Sequence, residues 1–136
     1  MKKRIFLLLF VLFGLNMFFA VNAYSQEQTE DDEIYLKVDK QPEFPGGKTA
    51  LDRFIKNNLR HPLTIGGRDI RARVVCEFVV NKDGSVTDIE ILRSNYPPMN
   101  NEVLRMLREM PKWEPALLKE QPVRVRYTLP VNIHIP

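Results

Sequence analysis

Val123, Arg124, Val125, Arg126, Tyr127, Thr128, Leu129, Pro130, Val131, Asn132, Ile133, His134 and Ile135 form the most regular stretch of the chain. Each odd position is apolar or aromatic, and each even one is charged, polar or proline. A two-residue period held this long predicts a β-strand with one buried and one wet face. Pro130 has no N–H for a ladder bond, so the strand belongs at a sheet edge with that missing donor turned outward.

The partners of this strand lie upstream. Ala72, Val74, Cys76, Phe78 and Val80 alternate with Arg71, Arg73 and Glu77, while Val75 and Val79 break the rule. Asn81-Lys82-Asp83-Gly84-Ser85 supplies an Asp-Gly turn, and Val86 to Leu92 returns as the second strand of a hairpin, with Ile89 and Ile91 on one side and Asp88 and Glu90 on the other. Ala50, Leu51, Phe54, Ile55 and Leu59 recur at helical spacing. This helix starts at Gly46 or Gly47 and must stop near His61-Pro62. Leu63 to Asp69 then reads as loop. Val103, Leu104, Leu107 and Met110 mark a second helix, with Asn101 suited to cap it and Pro111 closing it. Ile34 to Asp39 alternates only loosely, Gln41 to Gly47 interrupts any regular element, and a loop ending in Gln121-Pro122 leads to the last strand. The resulting expectation is an α+β fold. Its sheet is three-stranded and antiparallel in the order 2-1-3, and both helices cover the apolar face.

The chain has 136 residues, 20 Lys plus Arg against 17 Asp plus Glu, and one cysteine. That length suits one domain, and a single cysteine excludes a disulfide scaffold. Lys2, Lys3 and Arg4 hold the three surplus charges, followed by an apolar run to Phe19 and the small-residue exit Ala20-Val21-Asn22-Ala23. Residues 1–23 therefore read as an export signal, cleaved before Tyr24 or retained as a membrane anchor. Residues 24–33 carry five acids and no base, and are expected to be a disordered acidic spacer. Residues 34–136 make the working domain, with 17 bases and 12 acids. That surplus leaves room for a basic patch towards an anionic partner, but it is usually only a solvated surface and not a nucleic-acid footprint.

No enzyme signature is present. His61 and His134 have no Cys, Asp or Glu at metal-ligand spacing, and Asp83-Gly84-Ser85 lacks the later carboxylates of a calcium loop. Gly46-Gly47 and Gly66-Gly67 are not followed by the Lys-Ser/Thr of a phosphate loop. Cys76 reads as a small core hydrophobe and Trp113 as a core plug. No catalytic residue, cofactor, metal, small-molecule substrate or nucleic acid is expected. What remains is the backbone of the last strand. An exposed edge offers N–H and C=O groups to an extended peptide. Equally, Pro130 and the alternating arginines can serve to keep such pairing from happening.

Several short pieces, in order, carry a resemblance: Pro42-Glu43-Phe44-Pro45-Gly46-Gly47, His61-Pro62, Val79 to Asp88, Met110-Pro111-Lys112-Trp113-Glu114-Pro115, and Pro122 to Asn132. Residues from about Val38 to Ile135 resemble the C-terminal domain of the TonB family, in the form associated with Bacteroidetes-type bacteria. The resemblance implies a periplasmic energy-coupling role. Its partners would be TonB-dependent outer-membrane receptors, which present an extended periplasmic peptide, and an inner-membrane proton-channel motor if the N-terminus is retained. The peptide-pairing surface would run over Val123, Arg124, Val125, Arg126, Tyr127, Thr128, Leu129, Val131, Asn132 and Ile133, with Gly66 at a family position near the receptor peptide. The expected location is the periplasm, free or anchored to the inner membrane. Fully extended, residues 24–33 span at most about 35 Å. That short reach leaves an alternative, a soluble periplasmic adaptor or regulatory module uncoupled from the proton gradient.

Overall fold

The computed structural model describes residues 33–61 and 67–136. The export segment, all of the acidic spacer but Glu33, and Gly66 lie outside the described residues. In chain order the elements are β1 (Ile34–Tyr35), α1 (Gly47–Asn58), β2 (Ile70–Val80), β3 (Val86–Ser94), a 3-10 turn (Pro97–Met99), α2 (Asn100–Arg108), β4 (Ala116–Leu118) and β5 (Gln121–Ile135).

The two alternating segments pair along their length. Ile70 to Val80 lie antiparallel to Ile135 to Val125, which sets Phe78 opposite Tyr127, Cys76 opposite Leu129 and Val74 opposite Val131. These side chains share one face, and Leu51 from α1 and Val103, Met106 and Leu107 from α2 join them in a single buried cluster. Both helices therefore bury their stripes on the same side of the sheet. Full burial of each large apolar side chain contributes about 1.5–3 kcal/mol. Val75 and Val79 break the alternation where the β2–β3 register shifts, between Val75 and Cys76 and again between Glu77 and Val79.

The sheet differs from the three-stranded antiparallel expectation. It has five strands in the order β1-β5-β2-β3, with β4 also on β5, and it is mixed because β1 runs parallel to β5. The long strands β5, β2 and β3 keep the first hairpin strand in the middle. The additions have a physical cause. β5 has 15 residues and β2 has 11, so backbone groups of β5 near its start lie beyond β2. Buried or half-buried peptide groups need partners. β4 supplies them to residues 121–123, and β1 pairs at Arg124 and Val125.

Two details of the connections also depart from the sequence reading. The loop before Pro122 contains β4 and a two-residue turn in which Lys119 and Glu120 have φ of 49° and 63°. Such turns favour Asn or Gly. Here Asp39 accepts the Lys119 N–H at 2.7 Å, and the N–H groups of Asp39 and Lys40 both donate to Leu117 O. Asn101 does not cap α2. That helix continues from the 3-10 turn begun by Pro97-Pro98, its N-cap position is Met99, and no side chain caps it. Two prolines with φ held near −65° start the helical backbone without a cap. The helix stops at Arg108, and its buried stripe includes Met106, with Leu104 only half-buried.

Gly84 is required twice over at the hairpin turn. It has φ of 85°, and a Cβ there would stand 2.0 Å from Trp113 O. The Trp113 N–H donates to Gly84 O at 2.8 Å, so the turn is tied to the segment between α2 and β4.

Candidate functional site

In an antiparallel ladder a residue turns both its N–H and its C=O to one side, and its neighbours turn theirs to the other. Pro130 stands opposite Val75 and has no N–H to give β2. Arg126, Thr128, Pro130, Asn132 and His134 therefore turn their backbone groups away from β2. Among the described residues no strand pairs with that side of β5 beyond Val125. The result is an open edge with four outward N–H groups and one gap at Pro130.

This edge runs beside a groove of about 820 Å³. Tyr127, Leu129, Pro130, Asn132, Ile133 and His134 form its β5 side, Leu51, Ile55 and Leu59 its α1 side, and Phe44 and Trp113 close one end. From Tyr127 to His134 the strand covers about 25 Å at strand rise. The aromatic end is closely packed: Trp113 lies edge-on to Phe44, Phe78 and Tyr127 with ring centroids 5.7, 5.3 and 5.1 Å away.

α1 is pinned where it borders this groove. Arg105 of α2 donates to Asn58 O at 2.6 Å and to Glu102 at 2.6 and 2.9 Å, and Glu102 accepts the Arg60 N–H at 2.7 Å. The charged hydrogen bonds from Arg105, and then the Arg60 N–H, hold the Glu102 carboxyl below its ordinary range.

The wet face of β5 is largely self-satisfied. Arg126 pairs with Glu77 at 3.0 Å, Arg124 donates to Asn81 Oδ1 at 2.9 Å, and His134 Nε2 lies 2.6 Å from Asp69. Cys76 is buried, and desolvation pushes its thiol up to about 11. Such a thiol is a poor nucleophile. Among the described residues no group of His, Cys, Asp and Glu could hold a metal ion, and no helix is long and apolar enough to cross a membrane.

The site residues expected from the sequence divide into two sets. Arg126, Thr128 and Asn132 carry the outward backbone groups, while Tyr127, Leu129 and Ile133 line the groove and Val131 is fully buried. Val123, Arg124 and Val125 are already paired with β4 and β1. The α1 wall was not foreseen. Its signal lay in Ile55 and Leu59, stripe residues that remain half-exposed although Leu51 is buried.

Residues 59–135 match the family described as Gram-negative bacterial TonB protein C-terminal, and this is more than half of the chain. The chain belongs to the TonB C-terminal family. The matched span holds β2, β3, α2, β4 and β5, whereas α1 and the Pro42–Gly47 loop precede it. Family membership carries a TonB-like, protein-binding role in the Gram-negative envelope. A solved structure is also similar: the C-terminal domain of Helicobacter pylori TonB, determined by NMR in solution. It shares 25% identity over 65% of this chain and 79% of that one, with a TM-score of 0.46. Among curated proteins none matches.

Proposed function

We propose that this TonB-family domain binds extended periplasmic peptides of outer-membrane receptors by β-strand addition, and so supports energy-coupled transport across the outer membrane. It works in the periplasm, free or anchored to the inner membrane through residues 1–23. The observation that carries this reading is the outer edge of β5 from Arg126 to Ile135, with which no strand pairs among the described residues, lying along a groove with an apolar floor and a charged rim. Main-chain bonds to an open edge give affinity without demanding one sequence. The pairing surface is narrower than the whole strand, because β1 closes Arg124 and Val125.

The test is to titrate the isotope-labelled protein with synthetic periplasmic segments of receptors and follow its amide signals. Shifts and slowed exchange at Arg126, Thr128, Asn132 and His134 are expected. Signals that stay unmoved with every receptor segment reject the reading. A second role, as an adaptor uncoupled from the proton gradient, is favoured by the ten-residue acidic stretch 24–33. A deletion strain whose receptor-dependent uptake is unchanged supports that role over energy coupling.

A further inference from the structure

We infer that the groove beneath α1 makes this edge selective: it accepts extended peptides that are apolar at every second residue, over a stretch of about eight residues. The inference rests on strand addition and specifies which strands are taken.

A strand added to β5 lies about 4.8 Å outside it, with its side chains alternating between the two faces of the sheet. On one face they meet Arg126 and Thr128, which are exposed, and Asn132 and His134, which are exposed and also border the groove. On the other they enter the groove, where Leu51, Ile55 and Leu59 face Leu129 and Ile133. The two sets of peptide side chains thus meet different surroundings. No buried charged or polar residue is found among the described residues. Lys48 and Asp52, at the groove rim, neutralise one another at 3.0 Å. Glu43, Lys56, His61 and His134 also line the groove and are exposed, so a charge is disfavoured only deeper in, among Leu51, Ile55, Leu129 and Ile133, where it loses water without gaining a partner.

The extent of the stretch follows from where the edge is open. β1 occupies the outer side at Arg124–Val125, and the groove runs from Tyr127 to His134. The selecting wall is also separate from the pairing edge. α1 lies before the family-matched span, and the Arg105–Glu102 bonds to Asn58 and Arg60 fix its C-terminal end. Main-chain pairing therefore depends on β5, and side-chain choice on α1 together with Leu129 and Ile133.

Two synthetic ten-residue peptides of identical composition test this. In one, leucine alternates with threonine and lysine; in the other, the leucines stand in adjacent pairs. The alternating peptide is expected to bind the protein at least about tenfold more tightly, as the burial of one further apolar side chain implies. Ile55→Lys and Leu59→Lys should reduce the preference to about twofold or less, while a thermal melt reports whether each variant folds. If a variant does not fold, the peptide pair on the unaltered protein decides. Equal binding of both peptides, with amide shifts at residues 126–134, overturns the selection and leaves strand addition standing. Binding of receptor segments without any response to the alternating peptide also overturns it. Silence towards every peptide rejects strand addition itself, and this inference with it.

Discussion

Replacing Gly84 with alanine tests how the hairpin is joined to the rest of the domain. At φ of 85° an L-residue costs about 1–2 kcal/mol in backbone conformation alone. The new Cβ would also stand 2.0 Å from Trp113 O, 3.1 Å from its C and 3.2 Å from its N. All three are main-chain atoms, so no rotamer change relieves the overlap, and the two segments must separate. Separation breaks the Trp113 N–H bond to Gly84 O, which is worth about 1 kcal/mol. The expected destabilisation is about 2–4 kcal/mol, a large share of the roughly 5–15 kcal/mol that holds a domain together. Gly67 provides the control, since it has φ of 67° with nothing within 4 Å of an added Cβ. Gly67→Ala carries only the conformational cost. Urea unfolding followed by the fluorescence of Trp113, the single tryptophan, measures both variants. If Gly84→Ala is no more destabilising than Gly67→Ala, the contact with Trp113 does not hold the hairpin, and the reasoning fails.

Three further outcomes follow. Pro130→Thr adds an outward N–H without touching the β2 ladder, so stability should change by about 1 kcal/mol or less, while receptor-peptide affinity rises about two- to tenfold in a titration. Weaker binding would show that this position faces inward. Glu102 has a lowered folded-state pKa, so its contribution is present above its unfolded value and is lost as pH falls through the folded one. Glu102→Gln should therefore flatten the acid limb of the stability profile below about pH 4, and an unchanged limb argues against the clamp on α1. Cys76, buried with its thiol at about 11, should resist a disulfide reagent at about pH 8 in the native protein and react fully in denaturant. Rapid native reaction would show that the core opens there.

Much of the fold was legible because its long elements sort side chains between two faces. Thirteen alternating positions at 123–135 leave little choice but a half-buried strand. Pro130 by itself pointed to an open edge, which the strand keeps beyond Val125 although β4 and β1 cover its first residues. The hairpin turn followed from Asp83-Gly84, although the closeness of Trp113, which forbids any side chain at Gly84, did not. The misread parts have local reasons. Asn101 is a good cap residue, but Pro97-Pro98 had already begun the helical turn. β1 and β4, of two and three residues, are too short to show any period.

The candidate site divides in the same way. The sequence by itself determined the strand and the outward parity of Arg126, Thr128, Asn132 and His134, because each depends on local alternation and on one missing N–H, whereas the edge position it implied holds only beyond Val125. Only the tertiary structure decided how far the edge stays open and what lies beside it. A turn at Lys119-Glu120 without glycine or asparagine is held by Asp39, eighty residues earlier, and the α1 wall is held by Arg105 across 47 residues. Contacts at such separation leave no periodic trace in a chain. They arise when backbone and charged groups left over from the long elements find partners in the folded protein.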